Sequence, residues 1–261
     1  KMSMDFGKSM THIGALVGAS DKQIAQYRKG INKLAKEGPV GPQELAKALY
    51  FVTSSGFKGQ EALDVLRVSA RAAAAGLGDT ATVADAVTSA IGAYGIKNLS
   101  AAAATDILVA AVREGKAEPD QLAAAIGRVI APAQNLGVEF HEVAGAMAAL
   151  SLVGIDAAEG ATAVRGVLMT LQKPTKDARD ALADYGLTIQ QVRDNLEKDF
   201  IGTLTNLAKT MKGDKEAVAS LFGNVRALNG VLALTGENAG KVNKVMQGTA
   251  TATGDADRAF D

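Results

Sequence analysis

Apolar residues recur along this chain at steps of three and four, the spacing that keeps side chains on one face of an α-helix, and strand-like alternation is nowhere sustained. Near the N-terminus Met2, Phe6, Met10, Ile13 and Val17 follow the helical step. Ser20 reads as an N-cap, and Gln23 three residues on completes a capping box. The helix opened there carries Ile24, Tyr27, Ile31 and Leu34 at steps of three, four and three, a seam of about two heptads. Gly38-Pro39-Val40-Gly41-Pro42 interrupts the pattern, and Pro42 suits the first position of the next helix.

Beyond that break the pattern predicts helices over 42–55, 59–76, 81–94, 100–114, 119–136, 139–153, 156–172, 175–185, 188–212, 214–235 and 237–247. Four stripes define inward faces: Leu122, Ile126, Val129 and Ile130; Val164, Val167, Leu168 and Leu171; Ile189, Val192, Leu196, Phe200, Leu204 and Leu207; and Val218, Leu221, Phe222, Val225, Leu228 and Leu232. Pro132, inside a helical stretch, is expected to kink or split it. A glycine followed by an aliphatic residue closes helix after helix: Gly76-Leu77, Gly95-Ile96, Gly137-Val138, Gly154-Ile155 and Gly186-Leu187. Glycine takes the left-handed position after a helix without steric cost, and the next residue folds back on the last turn. Gly56 to Ile96 also lies over Gly115 to Ile155 at a shift of 59 residues, matching Leu63 with Leu122 and Leu77-Gly78 with Leu136-Gly137. This predicts two stacked helical hairpins that bury each other's apolar faces.

The fold class is therefore all-α, without a sheet. Residues 1–38 form a helical arm with the heptad seam, 39–42 the Gly/Pro break, 43–247 a compact multi-helix domain, and 248–261, rich in Thr, Ala, Gly and Asp, a linker or tail. The seam at Ile24, Tyr27, Ile31 and Leu34 predicts association of the arm with copies of itself, as a homo-oligomer such as a trimer.

Composition narrows the function. Only 4% of residues are aromatic, which favours close packing by small side chains and leaves no stacking platform for nucleic acid. Basic and acidic residues balance at 28 each, which argues against specific nucleic-acid binding and against a polybasic membrane anchor, though not against a local patch. The absence of cysteine excludes disulfides and thiolate chemistry. The sequence opens at Lys1, and the chain is expected to be a piece of something longer; no signal peptide is read in Lys1 to Phe6. The weakly polar run from Val143 to Ile155 is too short to span a membrane.

Candidate chemistry is sparse. His141-Glu142 lacks the second histidine of a zinc-protease helix, and His12 flanks the arm. Asp177, Asp180 and Asp184 recur at helical spacing with Lys176 and Arg179 among them, the mark of a solvated, partly paired face. The stretch from Gly236 to Lys241 fails as a phosphate loop on spacing and on Val242 where a hydroxyl is needed. No catalytic, cofactor-binding or metal-binding residue is assigned, and an enzyme is not expected.

Several segments resemble, in order, the core region of phage tail tape-measure proteins of the TP901 type. They are Glu44 to Val52 with Ser55-Gly56-Phe57; Ala72 to Thr80 with Val83-Ala84-Asp85; and Arg128-Val129, Pro132, Leu136-Gly137-Val138 and Glu142-Val143-Ala144. Gly160 to Gly166, Lys173-Pro174-Thr175 and Leu221 to Leu228 continue the resemblance, which covers about residues 10–235. The resemblance implies a long helical chain in the tail tube that sets tail length during assembly and leaves at genome ejection. It implies as partners tail-tube subunits, tail-tip or baseplate proteins, tail assembly chaperones and, transiently, the host membrane. It places the protein in the virion, at the lumen or tip of the tail, and in the host cytoplasm during assembly. The alternative is a membrane-active helical module, a pore-forming or effector fragment, with the Val143–Val153 helix inserting.

Overall fold

The structure, a computed structural model, describes residues 2–211, 214–235 and 238–260. Among them every regular element is helical. The side chains of Met2, Phe6 and His12 lie outside the described set, as do Gly236 and Glu237 of the rejected phosphate loop. Backbone contacts divide the chain into two compact units: Lys1–Val109 with Thr253–Asp261, and Ala110–Ala252.

Unit 1 holds α1 (Met2–Val17), α2 (Asp21–Glu37), α3 (Pro42–Ser54), α4 (Gly59–Ala72), a π turn (Ala73–Leu77), α5 (Thr80–Tyr94), the first part of α6 (Ala101–Glu114), and α16 (Asp255–Phe260). The capping box at Ser20 and Gln23 forms, and Pro42 sits in the first turn of α3. The Gly38–Pro42 break thus ends one helix and starts another, but it does not separate an arm from a domain. Both α1 and α2 pack on α3, and α2 also packs on α4. The contacts divide the chain inside α6, where no glycine or proline signals a boundary.

The segment expected as a linker belongs to the fold as well. Gly248 to Ala250 form the last turn of the preceding helix, and α16 follows. Asp106, buried on α6, accepts hydrogen bonds from the Gly254 N–H (2.7 Å) and the Ala256 N–H (2.9 Å), satisfying donors at the start of α16. Arg71 pairs with Asp257 and stands 5.1 Å from the centre of the Phe260 ring.

Unit 2 contains the rest of α6, then α7 (Pro119–Gln134), α8 (Phe140–Leu152), α9 (Ala157–Gln172), α10 (Lys176–Ala183), α11 (Ile189–Leu196), α12 (Phe200–Thr210), α13 (Lys215–Phe222), α14 (Val225–Leu234) and α15 (Ala239–Ala250). Its centre is α8, buried on every side from Glu142 to Ser151 and packed by α7, α9, α14 and α15. An all-round apolar helix of 13 residues is explained by this position. Small residues let its neighbours approach. A Cβ on Gly145 would meet Met246 Sδ at 2.7 Å and Thr249 Oγ1 at 2.8 Å on α15. Where α9 crosses α14, Gly166 faces Ala227 and Gly230 faces Ala163 at or below 3.0 Å from such a Cβ.

Four expectations need correction. The helix predicted over 188–212 breaks after Leu196 and restarts at Phe200, capped by Asp199; its stripe keeps its phase, and Val192, Leu196, Phe200, Leu204 and Leu207 are all buried. The helix predicted over 214–235 breaks at Gly223, whose φ of 49° turns the chain. Its stripe does not survive: Val218, Leu221 and Phe222 are buried, but Val225 is 71% and Leu232 41% exposed, because α14 packs inward through Ala227, Gly230 and Val231. Pro132 does not split α7, which runs on to Gln134. After Gly95 the next residue does not fold back: Ile96 is 47% exposed, and Leu99, bonded through its N–H to the Gly95 carbonyl, is buried instead.

The other closing glycines in unit 2 act as read. Val138, Ile155 and Leu187 each donate to the carbonyl five residues back, the Schellman pattern, at 3.0 to 3.2 Å. The 59-residue repeat also takes shape as α4–α5 and α7–α8. Gly78 and Gly137 have φ of 111° and 71°, and Gly95 and Gly154 have 82° and 86°. The copies lie in different units, so each hairpin finds cover within its own unit: α5 from α3 and α4, α8 from α7, α9 and α15.

Candidate functional site

The seam proposed for self-association is largely consumed inside unit 1. Tyr27 and Ile31 are 1% and 0% exposed, and Ile24 and Leu34 are half-buried. Tyr27 Oη accepts from the Gly59 N–H at 3.0 Å, at the start of α4. Ile24 lies against Gly14 of α1, and Gly30 of α2 meets the Leu63 side chain on α4. A heptad pattern records which face is apolar, not whose surface covers it; here α1 and α4 supply the cover.

The outer side of α2 is polar. Between α2 and α4 runs an open groove of about 510 Å³, lined by Gln26, Lys29, Lys33, Glu37, Gln60, Asp64 and Arg67 among others. Lys33 and Glu37 pair at 3.7 Å, and Arg67 and Asp64 at 3.3 Å.

The aspartates read on α10 do come together, with help from α13. Asp177, Asp180 and Asp184 line an open cleft of about 620 Å³ with Tyr185, Asp214 and Glu216. Tyr185 Oη donates to Asp214 at 3.1 Å. The amide of Ala217 and the Tyr185 hydroxyl hold the Asp214 carboxyl below the usual range, and burial raises the Tyr185 phenol. The cleft is open, with Lys176 3.7 Å from Asp180, and lacks the apolar walls that hold a catalytic acid protonated. Among the described residues no cluster of three or more His, Asp or Glu side chains could hold a metal ion.

Glu142, weighed for chemistry in the sequence only within an incomplete zinc-protease motif, has a structural role instead. It is buried on α8; its Oε1 accepts from the Phe200 N–H at 2.7 Å and its other oxygen from the Glu139 N–H at 3.2 Å. Burial raises its pKa, with the two amides pulling it down and Asp199 and Glu139 pushing it up. It joins the start of α12 to the start of α8, as Asp106 holds the start of α16. A charge on an otherwise apolar helix is the sequence signal that points to this role. Beside it, burial lowers the His141 pKa, opposed by Glu139. Glu142 and Asp106 thus join helix ends far apart in sequence. No described helix is long and apolar enough to cross a membrane.

Comparison with known proteins is consistent with an architecture built for packing. The family model described as phage-related minor tail protein matches residues 28–223. The chain is 24% identical over 260 residues to a protein named "Tape measure protein" of Pneumococcus phage Dp-1, covering 98% of this chain and 22% of that protein. The chain thus spans about a fifth of the relative's length. No solved structure matches. With three quarters of its length, including both copies of the repeated hairpin, inside the family match, the chain belongs to the phage-related minor tail protein family.

Proposed function

We propose that the chain is a segment of a tape-measure protein, a structural component that sets tail length during tube assembly and is released at genome ejection. The observation that carries this reading is the alignment of nearly the whole chain with a tape-measure protein, joined to the family match. Tail-tube, tail-tip or baseplate proteins, tail assembly chaperones and copies of the chain are the proposed partners, in the tail lumen or tip and, during assembly, the host cytoplasm. Because Tyr27 and Ile31 are spent inside unit 1, association runs through other faces. The role is structural and not catalytic. Quantitative mass spectrometry of purified virions before and after triggered ejection tests it: peptides of this chain are expected in intact tails and depleted from emptied ones. Their absence from intact tails overturns the reading.

A further inference from the structure

Charge is interleaved along most of the chain, as on α10, where Lys176 and Arg179 alternate with Asp177 and Asp180. The stretch from Lys22 to Lys36 is different: it holds five basic residues and no acidic one. The helix sorts them. At about 100° per residue Lys22, Lys29, Lys33 and Lys36 fall within a sector of about 60°, opposite Tyr27 and Ile31, and span about 21 Å at 1.5 Å per residue. All four are exposed. Lys33 shares its charge with Glu37; among the described residues Lys22, Lys29 and Lys36 make no ion pair. The residues between them on this face, Ala25 and Gln26, offer nothing to insert or stack.

From this geometry we infer that the lysine face of α2 is a docking surface for the phosphate backbone of duplex DNA, bound without regard to sequence. A rigid line of ammonium groups on a folded helix neutralises successive phosphates and releases their counterions. Without base-reading side chains it has no means of discriminating sequence. An anionic membrane is the lesser fit. A helix that lies on a bilayer sinks an apolar face beside its cations, and the apolar face of α2 is buried in unit 1. The overall charge balance, which argues against a dedicated nucleic-acid protein, leaves room for one local stripe of this kind.

The test is fluorescence anisotropy of the chain with a random-sequence DNA duplex across a salt series. Poly-L-glutamate and phosphatidylserine vesicles serve as alternative polyanions. With three to four phosphates neutralised, the logarithm of affinity is expected to fall against the logarithm of salt with a slope of about −3. Replacing the three unpaired lysines together (Lys22→Gln, Lys29→Gln, Lys36→Gln) is expected to flatten that slope by about three units and to weaken binding at least about tenfold at low salt. The pair Lys241→Gln and Lys244→Gln, exposed on α15, is expected to change neither. All five positions are solvent-exposed, so unchanged circular dichroism confirms that each variant folds. No duplex binding at low salt, a slope unaltered in the triple variant, or binding to poly-L-glutamate or vesicles as tight as to DNA overturns the inference.

Discussion

The two copies of the repeated hairpin show how one local plan serves two settings. Each matched turn carries a positive-φ glycine, though the chain closes differently after Gly95 and Gly154, and the first helices, α4 and α7, both bury an aliphatic stripe. Their second helices part company. On α5 the positions Asp85, Ser89 and Gly92 form a solvent face. The residues 59 positions on are Ala144, Ala148 and Ser151, and all three are buried on α8. The Gly115–Lys116 turn lies over them: Ser151 Oγ accepts from the Lys116 N–H at 2.8 Å, and a Cβ on Gly115 would meet Ser151 Oγ at 2.9 Å. Val83, buried on α5, becomes Glu142 on α8, where its carboxylate reaches the start of α12. A repeat fixes where the turn glycines fall; the side chains on the second helix decide whether it ends a layer or lies at a centre.

The largest break in this comparison comes from placing a charge on the two matched faces. Ala148→Asp buries an unpaired carboxylate and is expected to cost about 3–5 kcal/mol, while Ser89→Asp stays within about 0.5 kcal/mol. Denaturant unfolding of each variant decides it, and equal losses contradict the assignment of faces. Gly145→Ala drives a methyl into Met246 and Thr249 and is expected to cost about 1–3 kcal/mol, with calorimetry as the check. Ser151→Ala removes the acceptor for the Lys116 amide and is expected to cost about 1 kcal/mol. Gly92→Ala, with nothing within 4 Å of the added carbon, is expected to stabilise by about 0.5–1 kcal/mol.

The smallest effect is one of pH. A carboxyl whose pKa is raised on folding, as at Glu142, favours the fold fully below its unfolded value, and that contribution is lost as pH rises through the folded value. Relative to Glu142→Gln, the unsubstituted chain is therefore expected to lose stability as pH rises from the usual glutamate range towards neutrality. Unfolding titrations of both at matched pH read the difference, and a difference that grows with pH in favour of the glutamate contradicts it.

Much of this was legible in the residues and some was not. The capping box at Ser20, the first-turn Pro42 and the closing glycines at Gly137, Gly154 and Gly186 are legible because local chemistry settles them within a few residues. The stripe from Val192 to Leu207 was found even though the helix breaks inside it, since both pieces face one core. The face of α14 is not legible from its large apolar residues, because close helix crossings are made by small ones such as Ala227 and Gly230. The self-association reading of Ile24, Tyr27, Ile31 and Leu34 met the same limit, since periodicity marks an apolar face without naming its cover. The bonds from Asp106 to Gly254 and Ala256, and from Glu142 to Phe200, join residues far apart in sequence, and no spacing rule reaches them.

Whether such a segment measures length is answered by the tail itself. The decisive measurement is tail length, by electron microscopy, in a phage whose tail-protein gene carries an in-frame deletion of these 261 residues. The account predicts tails of a new, uniform and shorter length, by at most about 390 Å if every residue contributes a helical rise of 1.5 Å. Assembled tails of unaltered length, or tails with no defined length, would contradict it.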